Sequence, residues 1–230
     1  MKDRPGRFAS GPLEVRQLGL RRYEETLELQ RALVAARKAN ELPDQLILME
    51  HYPVITIGSG GGPEQLNVGE ARLAQLGIEF FNVDRGGGAA YHGPGQLVAY
   101  PIVDLSAGKD LHDYLRRLEA SVIATLAEFE VIGARRPGRT GVWCGERKIA
   151  SIGIRAERWV TSHGLSININ NDLRPFDLIK QCGLEGVKAT SVKRITGREL
   201  DMASVARVFA GRFAAVFSDK ESICRSVPVG

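Results

Sequence analysis

Arg85-Gly86-Gly87-Gly88-Ala89-Ala90-Tyr91-His92-Gly93-Pro94-Gly95-Gln96 stands between two apolar runs, Ile78 to Val83 and Leu97 to Val103. Six of its twelve positions are Gly or Pro, so the stretch is expected to be neither helix nor strand. The flanking runs are short enough to be strands. A glycine-dense loop between two strands, carrying one Arg, one Tyr and one His, is backbone shaped around a ligand.

Working outward, Leu13 to Leu20 reads as a strand and Arg21 to Ala39 as a helix. Gln45 to Glu50 and Val54 to Ile57 read as short strands separated at Pro53, and Glu70 to Leu76 as a short helix. The clearest helix follows the central stretch. Asp110 is its natural N-cap, and Leu111, Leu115, Leu118, Val122, Leu126 and Phe129 recur every three or four residues. His112, at its start, reads as a capping or surface residue. From Gly133 the pattern turns to strands: Thr140 to Cys144, Lys148 to Ala156 and Trp159 to Ile169. Gly145-Glu146 and Glu157-Arg158 read as the tight turns of an antiparallel meander. Arg174-Pro175 opens a helical turn that Cys182-Gly183 closes, and a last amphipathic helix begins near Asp201 with Met202, Val205, Phe209, Phe213 and Val216 on one face. With no repeat and no long linker, the chain reads as one α+β domain over 13–217, with room for a small C-terminal lobe. Residues 1–12 read as a disordered tail and 218–230 as a C-terminal tail.

Composition sets limits. The 230 residues, 43% hydrophobic and 25% charged, suit a globular domain. No apolar run approaches the roughly 20 residues of a membrane helix. Met1 to Pro12 lacks the apolar segment of a signal peptide, so a cytoplasmic location is expected. Three widely spaced cysteines, Cys144, Cys182 and Cys224, argue for a reducing compartment and against a disulfide framework. Net charge is +4, unevenly spread: Val131 to Glu199 holds thirteen Lys/Arg against six Asp/Glu, which leaves the remainder at −3. Such a segment is a solvated face, or it meets nucleic acid, anionic lipid or an acidic protein.

Several chemistries are disfavoured. His51, His92, His112 and His163 have no ligand spacing and no Cys-x-x-Cys accompanies them, so no metal is expected. There is no Gly-x-Ser-x-Gly elbow. Gly58-Ser59-Gly60-Gly61-Gly62-Pro63 lacks the Gly-Lys-Ser/Thr ending of a P-loop and reads as a mobile surface loop. Two residues remain. Cys182 sits beside Gly183, where close approach to a thiol is easy, and Lys148 opens the small, apolar run Ile149-Ala150-Ser151-Ile152-Gly153. A free thiol of pKa about 8.5 is only about 3% thiolate at pH 7, so acyl transfer through sulfur needs a nearby cation. The plain alternatives are a small core cysteine and an ordinary strand lysine. Spacing does not decide between these readings.

Five blocks, in order, resemble the lipoyl(octanoyl) transferases. They are Glu50-His51-Tyr52-Pro53-Val54-Ile55-Thr56-Ile57-Gly58, Arg85 to Pro101, Gly141-Val142-Trp143 through Gly153, Ser162-His163-Gly164-Leu165-Ser166-Ile167-Asn168, and Cys182-Gly183. The match runs from about Leu13 to Val216. One departure, Gly88-Ala89-Ala90 in place of the usual Gln/Lys-Val-Thr, bears on acyl-chain selection.

The resemblance implies a biotin/lipoate ligase-like single domain with mixed and antiparallel sheets flanked by helices. It implies transfer of octanoyl from acyl carrier protein to the target lysine of lipoyl domains, the first step of endogenous protein lipoylation. The acceptors would be 2-oxoacid dehydrogenase E2 subunits and the glycine cleavage H protein. Carried over by motif, Cys182 is the nucleophile and Lys148 its partner. Arg85, Gly86, Gly87, Gly88, Ala89, Ala90, Tyr91, His92, Ser151, Ile152, Gly153, His163, Gly164, Leu165 and Ser166 are the substrate-binding residues. His92 is expected to orient the loop and acyl group. No cofactor is implied, phosphopantetheine entering as part of the carrier substrate, and the enzyme is expected to be a monomer without nucleic-acid or membrane partners. An ATP-dependent lipoate or biotin ligase shares the fold and is the alternative. A basic nucleic-acid-binding domain over Arg135 to Arg158 is a third reading, weakened by the scarcity of aromatics beyond Trp143 and Trp159.

Overall fold

The computed structural model describes residues 12–180, 187–217 and 225–226. The expected N-terminal tail up to residue 11, the Cys182-Gly183 turn and most of the C-terminal tail lie outside the described residues. Among those described, one sheet has the strand order β11-β1-β2-β6-β10-β9-β8-β7. These strands are β1 (Leu13–Arg21), β2 (Asp44–His51), β6 (Gln96–Ile102), β7 (Ala134–Arg136), β8 (Arg139–Cys144), β9 (Arg147–Glu157), β10 (Val160–Asn168) and β11 (Arg225–Ser226). A smaller sheet has the order β4-β3-β5, with β3 (Val54–Ile57), β4 (Glu79–Asn82) and β5 (Ala89–His92). β1 and β2 run parallel, the crossover between them supplied by a helix, and across the rest of this sheet, in the order β2-β6-β10-β9-β8-β7, neighbours are antiparallel.

Alternation along the central strands explains the layers. Leu46 and Leu48 of β2 and Leu97 and Ala99 of β6 join the core that also holds Leu118, Val122 and Leu126 of α3 (Leu111–Ala127). Phe209 and Phe213 of α5 (Met202–Phe217) complete it. Ile47, Met49, Val98, Tyr100 and Ile102, pointing the other way, meet Leu33 of α1 (Tyr23–Lys38). Both faces of the sheet are covered, which is why β2 and β6 read as unbroken apolar runs. Asp110 caps α3 as expected, its carboxylate accepting from the Asp113 N–H at 2.9 Å. The small sheet has its own core, in which Ile55 and Ile57 pack with Ala89 and Tyr91, with Leu73 of α2 (Glu70–Gln75) and with Phe176 and Ile179.

Three expectations are corrected. Within the central stretch, Ala89–His92 is strand β5, paired antiparallel with β3. These four residues carry no Gly or Pro, and their hydrogen-bonding partner is remote in sequence, so local composition understated them. The turn joining β9 to β10 is Arg158-Trp159, both at positive φ, one residue beyond the expected position. Trp159 holds this geometry because its ring packs on the main core and its carbonyl accepts from the Leu105 N–H. Gly58 to Pro63 is laced to the central stretch: the amides of Gly58, Ser59 and Gly60 donate to the carbonyls of Gly88, Arg85 and Gly87 at 2.9–3.2 Å. Short elements β7 and α4 (Val192–Thr196) had not been anticipated.

Glycine decides how closely the strands approach beside the cleft. Gly164 of β10 and Gly153 of β9 are paired across the ladder. A Cβ on Gly164 would fall on the Ala99 carbonyl oxygen and lie 2.7 Å from Pro101 Cδ. Gly164→Ala is therefore expected to destabilise the fold by about 1–3 kcal/mol, as overpacking does. Gly211→Ala, on the exposed side of α5 with nothing within 4 Å, should be neutral or stabilising. Thermal unfolding of the two variants checks this; an unchanged midpoint for Gly164→Ala contradicts it.

Candidate active site

The segment Asp84 to Gly88 carries the small sheet onto the large one. The Gly86 N–H donates to the Ile154 carbonyl of β9 at 2.8 Å, and a Cβ on Gly153 would lie 2.7 Å from the Gly86 oxygen. Arg85, mostly buried, ties the same segment to β3: its Nη2 donates to the Thr56 carbonyl at 2.9 Å and to Oγ1 at 2.8 Å. Between this segment and the faces of β9 and β10 runs a narrow slot. Arg85, Gly87, Gly88, Ala89, Ala90, His92, Lys148, Ser151, Ile152, Gly153, His163, Gly164, Leu165 and Ser166 line it.

Nearly all the residues singled out from sequence thus converge on one cavity. Two sit differently. Gly86 lines a neighbouring cleft, and the Tyr91 ring turns into the small core, edge-on to Phe176 at 5.4 Å. Cys182 lies outside the described residues. The one cysteine within them, Cys144, is half-buried and burial pushes its thiol up to about 11. Two slot residues had escaped sequence reading, Tyr23 and Tyr100. Their positions, at a helix start and inside a buried strand, look like core. Burial pushes Tyr23 up to about 12 and Tyr100 well above the ordinary tyrosine range, so both stay neutral phenols.

Lys148 is only 3% exposed. Its backbone is clamped on both sides, pairing with Trp143 of β8 and exchanging bonds with the Lys188 carbonyl and the Thr190 N–H, each at 2.9 Å. The side-chain stem runs over Gly141, where a Cβ would lie 2.8 Å from Lys148 Cε and 3.4 Å from Nζ. Gly141 has φ 120, a conformation that a side chain would strain. Its N–H donates to Glu119 Oε1 of α3 at 3.1 Å, and the buried Glu119 also accepts from Arg116 and Arg135 at 2.7 and 3.0 Å. Glu119 gave no signal in the sequence, being one polar residue within an amphipathic helix. The ammonium stands 5.8 Å from the Trp143 ring centroid. On its far side lies a second cleft, lined by Gly60, Gly86, Gly87, Gly88, Arg139, Thr140, Trp143, Ile152, Gly153 and Val187. Lys148 lines both cavities.

The histidines are held in defined tautomers. His51 Nδ1 faces the Arg21 carbonyl at 3.1 Å and therefore carries the proton, so Nε2 accepts from the Tyr100 hydroxyl at 2.8 Å. His92 Nδ1 donates to Gln96 Oε1 at 2.7 Å, an orientation fixed by the Gln96 amide donating to the Tyr91 carbonyl and to Asn168. His163 Nε2 donates to Asp84 at 2.8 Å while its buried Nδ1 finds no partner among the described residues. Burial lowers His51 to about 4 and His92 to about 3, and it lowers His163 against the pull of Asp84. Neutral rings, small residues and glycine backbone make the slot suited to an uncharged, slender chain. Among the described residues no cluster of His, Cys, Asp or Glu could hold a metal, and no helix is long and apolar enough to cross a membrane.

Comparison with known proteins agrees with this geometry. The family model described as lipoyl protein ligase A/B catalytic domain matches residues 22–214. A protein of Rubrobacter xylanophilus named octanoyltransferase is 46% identical over 91% of this chain and 96% of its own length. One of the same name from Geobacter metallireducens is 43% identical over 90% and 94%. Among solved structures, lipoate-protein ligase A bound with ATP superposes with a TM-score of 0.74 at 15% identity, covering 95% of this chain and 89% of that one. The biotin protein ligase of Aquifex aeolicus gives 0.53 at 14% identity over 89% and 68%. At such identities the two structures speak to the fold.

The depressed histidines set a pH dependence. An unfolded chain protonates them near 6.5, whereas the folded chain resists until about 4 and about 3. The unfolded state thus binds more protons in that window, and stability is lost as pH falls below about 6.5. Each ring contributes up to about 1.4 kcal/mol per pH unit. The melting temperature should fall on acidification towards pH about 4.5, and His51→Gln should flatten the fall. A wild-type slope identical to that of the variant contradicts the assignment.

Proposed function

The chain belongs to the lipoyl protein ligase A/B catalytic domain family, and on that premise we propose that it is an octanoyltransferase working through a thioester on Cys182. The observation that carries this reading is Lys148, a lysine 3% exposed whose side chain lies between a glycine-lined slot and a second cleft. A lysine is buried so deeply where its charge has a negative group to meet. Val187, five residues beyond Cys182 in the chain, lines the second cleft with Lys148.

Two half-reactions follow. Lys148 stabilises the Cys182 thiolate, which attacks the thioester carbonyl of an octanoyl carrier; a new C–S bond forms, the old one breaks, and the carrier sulfur leaves as a thiol with a proton from Lys148, whose amine is then neutral. The acyl chain then lies in the slot, where burial contributes about 0.8 kcal/mol per CH₂. Backbone N–H groups of the glycine segment that are not already bonded would stabilise the negative charge that the carbonyl oxygen gains. In the second half the acceptor lysine amine attacks the acyl-enzyme. Lys148 takes the proton, the amide forms and the Cys182 thiolate is released. Thioester to thioester is nearly level and thioester to amide runs downhill, so the reaction needs neither ATP nor a cofactor of the protein's own. The donor is an acyl carrier protein, bringing its phosphopantetheine, and the acceptors are lipoyl domains. Both are acidic proteins, suited to the basic segment between Val131 and Glu199.

The relatives named octanoyltransferase, at 40–46% identity, favour transfer over the ligase alternative, for which the solved ligases supply only fold. Octanoyl transfer from carrier to lipoyl domain should proceed without ATP. Lys148→Ala should slow each half-reaction about a hundredfold or more and move the pH–rate profile upward, as loss of an acid–base partner does. Single-turnover kinetics measure both halves; strict ATP dependence, or an unshifted profile in the variant, rejects the reading.

A further inference from the structure

The second cleft leads on to a third cavity. Arg139, Trp143 and Val187 line both, and beyond them Arg136, Arg147 and Lys188 converge. Among the described residues, four cations surround this bowl against one carboxylate, Glu146, whose side chain is 90% exposed and pairs with Arg136. Trp143 forms its floor. Arg136 lies 4.7 Å and Arg139 5.7 Å from the indole centroid. Trp143 is 2% exposed, and its Nε1 hydrogen finds no acceptor among the described residues. Shared walls join the three spaces: Arg139, Trp143 and Val187 stand between the bowl and the second cleft, and Gly87, Gly88, Lys148, Ile152 and Gly153 between that cleft and the acyl slot.

Resting on the acyl-transfer reading, we propose that together they form one path, the binding channel for a phosphopantetheine-type arm, with the bowl formed by Arg136, Arg139, Arg147 and Lys188 holding its phosphate. Arginine meets phosphate through paired N–H donors, and the second cleft between the bowl and Lys148 would take the amide part of the arm. The order of chemical groups along such an arm, phosphate, then amides, then thioester and acyl chain, matches the order of linings along the path. An arm lacking phosphate, such as the acceptor lysine, would use the inner part only. Donor and acceptor would thus reach Lys148 by one route while the bowl distinguishes them.

The test is direct binding of two probes, 4′-phosphopantetheine and pantetheine, to the full chain by calorimetry. The phosphorylated probe should bind about tenfold tighter, the scale of one charge-assisted contact, and the preference should shrink with added salt. The double variant R139A/R147A should bring the two probes close to equal affinity, R139K should keep most of the preference, and W143F should weaken both probes alike. Equal binding by the wild type, or a preference that survives the double variant, overturns the proposal. Because R139K and the salt titration leave the bowl's shape intact, the test stands even if the double variant misfolds. The readout involves no transfer. A phosphate preference without octanoyl transfer would refute the reaction and leave the bowl, and transfer without a preference would refute the bowl alone.

Discussion

A close backbone contact between two glycine-bearing segments frames the site. Gly86 donates to Ile154, Gly153 lies under the Gly86 oxygen with no space for a side chain, and Gly58 is pressed against the Arg85 and Gly87 carbonyls in the same way. Through this seam the small sheet is fastened across the face of the large one, and the slot is the space left between them. Arg85 reinforces the seam from beneath by gripping Thr56. Substituted glycines here would force the layers apart before touching any substrate. Catalytic geometry and sheet packing are in this sense one constraint.

The second constraint is electrostatic. Lys148 is carried into the interior by a strand clamped on both edges, over a glycine anchored by the buried Glu119 of α3. The slot beyond it is lined by His92, which burial keeps neutral, and by small residues and glycine backbone, with Arg85 at its edge. Low polarity around a fixed charge strengthens its field, which favours a developing thiolate or oxyanion over bulk water.

Much of this was legible in the chain, for identifiable reasons. Helices α3 and α5 announce themselves by three-and-four spacing, and β2 and β6 by apolar runs that only a doubly covered sheet requires. The site segments were visible as glycines inside strand patterns, where close backbone approach is the usual cause. What stayed hidden depended on remote partners. Strand β5 exists because β3 pairs with it, and the Arg158-Trp159 turn holds its positive φ because the main core receives the indole ring. Glu119, Tyr23 and Tyr100 look like ordinary helix and core positions until the fold brings them to Lys148 and the slot. Residue type gave the chemistry; only three-dimensional placement could show which groups share a cavity.

The central claim is a covalent acyl-enzyme, and peptide-mapped mass spectrometry after mixing with octanoyl carrier protein, without ATP or acceptor, tests it most directly. The account predicts one octanoyl mass increment on the peptide containing Cys182, discharged when a lipoyl domain is added. An unmodified Cys182 peptide, or an adduct on another residue, would contradict it.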